Sequence, residues 1–165
     1  MDFVIEPITA GDWEQVRAIY EEGIRSGNAT FETSAPSWEQ WDKAHLPFCR
    51  LVARSQGEVV AWAALSPVSA RKAYAGVAES SIYVSEAAQG KGIGTALQEE
   101  LTRQSEARGI WTLQGVVFPE NTASLALLKK AGFREVGRRE RISQLDGRWR
   151  DTILLERRSP VVGKD

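Results

Sequence analysis

The sequence predicts an α+β domain, a mixed and mainly antiparallel sheet flanked by helices. Three observations carry that expectation. Strand-like and helix-like segments follow one another as β-α-α-β-β-β-α-β-α-β-β, with strands in the majority. Two pairs of β-rich runs flank short turn signals, Ser55-Gln56-Gly57-Glu58 and Asp146-Gly147, and such turns join antiparallel neighbours. Between these pairs a strand, a helix and a second strand succeed one another as a β-α-β crossover, whose strands run parallel. A doubly wound nucleotide-binding sheet would alternate more regularly. At 165 residues there is room for one core, expected over residues 1–158, with a loose tail at 159–165.

Phe3 to Ile8 reads as a first short strand. Trp13, Val16, Ile19, Tyr20, Gly23 and Ile24 then recur at helical spacing and mark an amphipathic helix. Ser37-Trp38-Glu39-Gln40 is a capping box, so a second helix should run to about Ala44, ahead of Pro47. Arg50 to Arg54 and Val59 to Leu65 form the first hairpin. A polar loop, Pro67 to Val77, leads into a strand from Ala78 to Val84. From Ile93, the residues Ala96, Leu97, Leu101 and Ala107 trace one face of a long helix that Gly109 closes. Ile110 to Phe118 is apolar enough for a central strand. Asn121 or Thr122 caps a helix with Ser124, Leu127, Leu128 and Ala131 inward, stopped by Gly132. Arg134 to Leu145 and Arg148 to Leu155 make the last hairpin.

Composition removes several classes of function. The chain carries 21 Lys plus Arg against 22 Asp plus Glu, a formal charge of -1, so no overall basic field is present to hold nucleic acid or anionic lipid. Cys49 is alone, which excludes an internal disulfide and a cysteine metal cluster and fits a reducing, cytoplasmic setting. His45, the single histidine, argues against a multi-His zinc site and a Ser-His-Asp triad; it reads as a partly exposed residue after a helix. No basic leader with an apolar run and no apolar stretch of membrane-spanning length occurs. No metal is expected.

The most informative segment is Ser80-Ser81-Ile82-Tyr83-Val84-Ser85-Glu86-Ala87-Ala88-Gln89-Gly90-Lys91-Gly92-Ile93-Gly94-Thr95. A strand ends, a glycine-rich turn follows and a helix begins at once. Such a turn lets the backbone approach a ligand and aims successive N–H groups at one point, beside the positive end of the helix dipole. That suits a pyrophosphate. A glycine-rich connection without a ligand is the plain alternative. A Walker loop would end in Gly-Lys-Ser/Thr, and the third Rossmann glycine is missing at Thr95.

Gln89-x-x-Gly92-x-Gly94, preceded by Glu79-Ser80-Ser81-Ile82-Tyr83-Val84, resembles the acetyl-CoA motif of the Gcn5-related N-acetyltransferases. Asn121-Thr122-Ala123-Ser124 before Leu127-Leu128-Lys129-Lys130-Ala131-Gly132-Phe133 resembles that family's second cofactor segment. Thr30-Phe31-Glu32-Thr33, the Arg71 to Tyr74 loop, Glu79-Ser80-Ser81 and Gly147-Arg148-Trp149-Arg150-Asp151 are similar to the phosphinothricin and methionine sulfoximine acetyltransferase branch, whose enzymes acetylate the α-amine of small amino-acid analogues. The resemblance implies a sheet splayed between two adjacent parallel strands, Ala78 to Val84 and Ile110 to Phe118, with acetyl-CoA in the opening, and commonly a homodimer.

The resemblance also distributes roles. Gly90, Lys91, Gly92, Ile93, Gly94 and Thr95 would take the pyrophosphate, Ile82 and Val84 the pantetheine and acetyl group, and Asn121 the pantetheine amides, against a plain helix-cap role; Gln89, Tyr83 and Ser124 would complete the cofactor site. Strand alternation sets Glu79, Ser81 and Tyr83 on one face and Ala78, Ser80, Ile82 and Val84 on the other. Glu79 is then a carboxylate in a central strand, a general base or a residue that grips the substrate ammonium or a structural ion pair. Arg71 offers a bidentate fork for an α-carboxylate, with Lys72 and Tyr74 as weaker candidates, against a solvated basic loop. Phe31 and Glu32 would form a substrate wall, a position a core phenylalanine also fits. Trp149 reads as packing or a dimer contact. Many relatives carry Tyr or His in the helix after Asn121 to protonate the departing sulfur; Leu128 stands there on the inward face, which implies chemistry without a dedicated acid from that helix. Acetylation of peptide N-termini or other amines, and CoA sensing without catalysis, are the competing functions.

Overall fold

The computed structural model describes residues 1–165. Its strands are β1 (Val4–Pro7), β2 (Leu51–Ser55), β3 (Glu58–Pro67), β4 (Val77–Val84), β5 (Thr112–Val117), β6 (Arg134–Leu145) and β7 (Arg148–Arg158). The helices are α1 (Trp13–Ser26), α2 (Trp38–Ala44), α3 (Ile93–Ala107) and α4 (Thr122–Lys130). The order along the chain is the expected one. All seven strands form one sheet, β1-β2-β3-β4-β5-β7-β6, antiparallel everywhere except between β4 and β5.

Both hairpin turns take the geometry their sequences favour. Gln56 and Gly57 have φ of 50° and 85°, and Asp146 and Gly147 have 51° and 77°, the paired positive values of a type I′ turn. The capping box at Ser37 and Gln40 is formed in both directions. The two faces of the sheet bury different clusters. On one, Ala61, Ala63, Leu65, Ala78, Ile93, Leu97, Leu101 and Leu155 pack under α3 and α4. On the other, Trp62 and Ala64 meet Val16, Ile19 and Trp41 of α1 and α2.

The parallel pair is short. Only Val77, Ala78 and Glu79 pair with Thr112, Leu113 and Gln114. Beyond this the strands diverge, since β4 stays registered to β3 as far as Val84 while β5 stays registered to β7 as far as Val117. The sheet therefore opens on the C-terminal side of Glu79.

Three features depart from expectation. A 3-10 turn occupies Lys72–Tyr74 within the polar loop. β7 runs on to Arg158, because a backbone ladder with β5 does not require apolar side chains. The segment 159–165, expected to be loose, is anchored through residue 163. Ser159 is buried and its hydroxyl bonds Glu106, while the Arg158 guanidinium donates to the carbonyls of Trp111, Ser159, Val162 and Gly163. No helix is long and apolar enough to cross a membrane.

Candidate active site

The opening between β4 and β5 widens into a cleft of about 1490 Å³ that reaches from the α3 N-terminus to the α1–α2 side of the sheet. Its first wall is the glycine turn. Gly90 and Gly92 sit at φ of 74° and 82°, and no backbone or side-chain acceptor takes the amides of Gly90, Lys91, Gly92, Ile93, Gly94 or Thr95. The first turn of any helix leaves such donors orphaned; here the preceding turn adds more, and all point from one bend. A Cβ on Gly94 would stand 2.8 Å from Leu127 Cδ1, so glycine at this position lets α3 and α4 close on each other at the cleft edge. Six unsatisfied donors at a helix N-terminus fit the phosphates of a nucleotide cofactor.

Glu79 stands where the parallel pairing ends. Gln114, its partner in β5 across that last rung, donates from Nε2 to Glu79 Oε1 at 2.8 Å. Oε2 has no partner in the protein, and no cation forms an ion pair with this carboxylate. Alternation along β4 holds: Tyr83, on the Glu79 face, stacks on Trp62 (centroids 4.7 Å) and Tyr20 (5.0 Å), and Tyr20 stacks on Trp62. Burial, and then Tyr20, raises the Tyr83 phenol far above its ordinary range, with Glu32 and Glu79 adding to the shift. Tyr20 is raised by burial and by Glu32. Thr30 faces both phenols. The two tyrosines therefore stay protonated at neutral pH and can only donate or accept hydrogen bonds.

Of the residues singled out in the sequence, Ile82, Tyr83, Val84, Gln89, Gly90, Gly92, Ile93, Gly94, Thr95, Asn121, Ser124, Phe31, Glu32 and Glu79 all line this one cleft. Lys91 does not; its side chain is on the exposed outside of the turn. Arg71, Lys72 and Tyr74 do not either. They are exposed in the loop beyond β3, with the Arg71 guanidinium over the Tyr74 ring at 5.6 Å. Asn121 does cap α4, since its Oδ1 accepts from Ser124 N, and its Nδ2 donates to Asn28 O. Phe31 meets Phe118 edge-on at 4.9 Å.

Other residues of the site carry little signal in the sequence. Gln114 is a lone amide in an apolar strand, and only the β4–β5 register reveals its partner. His45 caps α2, stacks on Trp41 at 4.2 Å and bonds the Trp41 carbonyl through Nδ1, while burial lowers its pKa, so it borders the cleft as a neutral imidazole. Leu128 points inward as expected, packed over Gly115. Cys49 is buried, and that burial pushes its thiol up to about 11, which leaves it no role as a nucleophile.

The family model described as "Acetyltransferase (GNAT) family" matches residues 13–133. The chain belongs to the GNAT acetyltransferase family. Relatives of this GNAT chain include a phosphinothricin N-acetyltransferase of Alcaligenes faecalis, 32% identical over 88% of this chain and 77% of that protein. An L-methionine sulfoximine/L-methionine sulfone acetyltransferase of Pseudomonas aeruginosa is 25% identical over 94% of each. Among solved structures, a GNAT superfamily phosphinothricin acetyltransferase from Sinorhizobium meliloti in complex with AcCoA superposes with a TM-score of 0.90 at 29% identity, over 100% of this chain and 92% of that one. A ribosomal-protein-alanine N-acetyltransferase from Brucella melitensis superposes with a TM-score of 0.88 at 28% identity, over 94% and 99%.

Proposed function

We propose that this GNAT protein acetylates the α-amine of a small amino-acid analogue, of the phosphinothricin or methionine sulfoximine kind, with acetyl-CoA as donor and Glu79 as the proton acceptor. The observation that carries the proposal is the position of Glu79, in the mouth of the splayed strands with Oε1 fixed by Gln114 and Oε2 free. Acetyl-CoA, when bound, supplies an activated thioester carbonyl. The amides from Gly90 to Thr95 would hold its phosphates, and Ile82 and Val84 would border its acyl arm.

The chain's own residues then have three tasks. Glu79 takes the proton that the amine must lose, directly or through a water, so that the nitrogen reacts neutral. The Tyr20, Tyr83 and Trp62 stack keeps that side of the cleft short of water. Glu22, Glu32, Glu79 and Glu86 line the cleft against a single lysine, Lys130, a field that draws in an ammonium group. The same field opposes a carboxylate, so an amino acid needs a cation from outside the lining. Arg71, exposed on the loop that joins β3 to the Glu79 strand, is the candidate.

A thiol-release assay with acetyl-CoA tests the proposal. Phosphinothricin and methionine sulfoximine should turn over far faster than their decarboxylated analogues, and Arg71→Ala should chiefly raise KM for the amino acid. Equal turnover of an amino acid and its decarboxylated analogue would remove Arg71 from the site. Likeness to the ribosomal-protein-alanine enzyme favours a second acceptor, and a peptide beginning with alanine that outpaces every amino acid would establish it. Binding of acetyl-CoA without thiol release would leave a sensing role. The chain has three tyrosines, and replacing each by Phe should cost well under about 10²-fold in kcat, below the usual worth of a positioned acid; a larger loss in a stable variant would give that tyrosine the role Leu128 cannot fill.

The lone Cys49 supports a cytoplasmic setting. Trp149, Ile142 and Val136, 60%, 49% and 42% exposed on the edge hairpin β6–β7, support pairing with a second copy, which sedimentation reads as twice the 18.3 kDa chain mass.

A further inference from the structure

We propose that Arg150 is a positioning residue that holds the acceptor wall of the cleft, residues 27–36, against the cofactor wall at the head of α4. Its guanidinium is mostly buried, with 18% of the side chain exposed. Nη1 donates to the Gly27 carbonyl at 2.9 Å, and Nη2 donates to Asn28 Oδ1 at 3.2 Å and to Glu120 Oε2 at 3.3 Å. The guanidinium plane lies over the Phe118 ring, 4.0 Å from its centroid, and the edge of Phe31 meets the same ring. One side chain from β7 thus gathers the C-terminal end of α1, the corner between β5 and α4, and the segment between α1 and α2.

What this gathering holds is the cleft itself. Asn28, Ala29, Thr30, Phe31 and Glu32 line it from one side and Phe118, Asn121 and Ser124 from the other. The segment 27–36 forms neither helix nor strand, and the side-chain bond within it from Glu32 N to Thr30 Oγ1 is local. Besides Arg150, it is tied to the cofactor wall by the bond from Asn121 Nδ2 to Asn28 O and by the edge contact of Phe31 on Phe118. Thr30, which faces the Tyr20 and Tyr83 phenols, and Glu32, which lines the acceptor side, take their places from these anchors. The planar fork is required: it serves two acceptors on one segment and stacks on an aromatic face at once, which a lysine cannot do. Every donor that Arg150 directs here goes to the protein, so it positions the wall and takes no part in the chemistry.

The kinetic part of the test rests on the acetyl-transfer reading, and the structural part does not. Arg150→Ala should speed hydrogen exchange in residues 27–36 while leaving β2 and β3 unchanged, whatever the chain acetylates. With an accepted amine, the same variant should raise its KM by about tenfold or more, since small misplacement of substrate-orienting groups is that costly, and hold the acetyl-CoA dissociation constant within about threefold. Arg150→Lys should recover less than half of the loss. Asn28→Ala, a milder change, should raise KM less, and add nothing further in the Arg150→Ala background because the Asn28 side chain bonds only Arg150. If Arg150→Ala folds poorly, Arg150→Lys and Asn28→Ala decide. Exchange in 27–36 and KM both at wild-type values in those variants, or a fall in melting temperature alone, would overturn the proposal. Faster exchange in 27–36 with no amine acetylated by the wild-type chain would uphold the positioning role and defeat the acetyl-transfer reading instead.

Discussion

Replacing Glu79 by Gln is expected to lower kcat by about 10²–10⁴ at neutral pH, the usual worth of a positioned general base. The substitution nearly keeps shape, and the fold has little reason to respond. Glu79 forms no ion pair, and its one protein bond, from Gln114 Nε2 to Oε1, can be accepted equally by the amide oxygen of the replacement. Acetyl-CoA affinity should therefore stay near normal, since the orphaned amides belong to the turn that follows Val84 and make no bond with Glu79. The measurement is steady-state kinetics beside calorimetry. A folded variant with near-normal kcat would leave Glu79 at most a grip for the ammonium group, while a variant that loses acetyl-CoA as well would mean that the carboxylate shapes the cleft and does not merely accept a proton.

The second large effect is expected at Gly92. Its φ of 82° lies in the left-handed region, where a β-branched side chain is strained by about 1–3 kcal/mol. A Cβ there meets nothing within 4 Å, so Gly92→Val is not blocked by packing. The variant relieves its strain by turning the peptide planes on either side of residue 92, which swings the Lys91, Gly92 and Ile93 amides off their common point. Wild-type protein at a hundredfold excess of acetyl-CoA over Kd should gain about 2.7 kcal/mol of stability. Gly92→Val should show no such gain in its melting temperature. Undiminished affinity by calorimetry would put the phosphates elsewhere.

Much of this arrangement was legible in the sequence, and the particular failures have physical causes. Period-two alternation in a single strand was enough to set Glu79 and Tyr83 on one face, because the pleat fixes side-chain direction without reference to neighbours. The glycine turn was readable for the same reason: positive φ and helix start are local properties. Gln114 was not, since its bond to Glu79 depends on the register of two strands 35 residues apart in the chain. Nor was Arg150, whose partners at Gly27 and Asn28 are more than 120 residues away in the chain. Arg71 was expected at the site from its guanidinium fork and its loop's resemblance to the family; in the structure it lies over Tyr74, outside the residues that line the cleft. The anchoring of residues 159–163 rests on one arginine reaching carbonyl oxygens, which no periodicity announces.

The brevity of the β4–β5 pairing has a mechanical meaning. As a backbone ladder the sheet is two plates, β1 to β4 and β5 to β7, joined along a seam of three residues on each strand, while a shared apolar core and the Arg150 and Asn121 bonds tie the layers on either side of it. Beyond that seam the facing edges of β4 and β5 border the cleft and not each other. A ligand whose amides bonded both lips of the gap would extend the ladder, so acetyl-CoA, if held there, would add rungs between the two halves of the sheet for as long as it stayed bound.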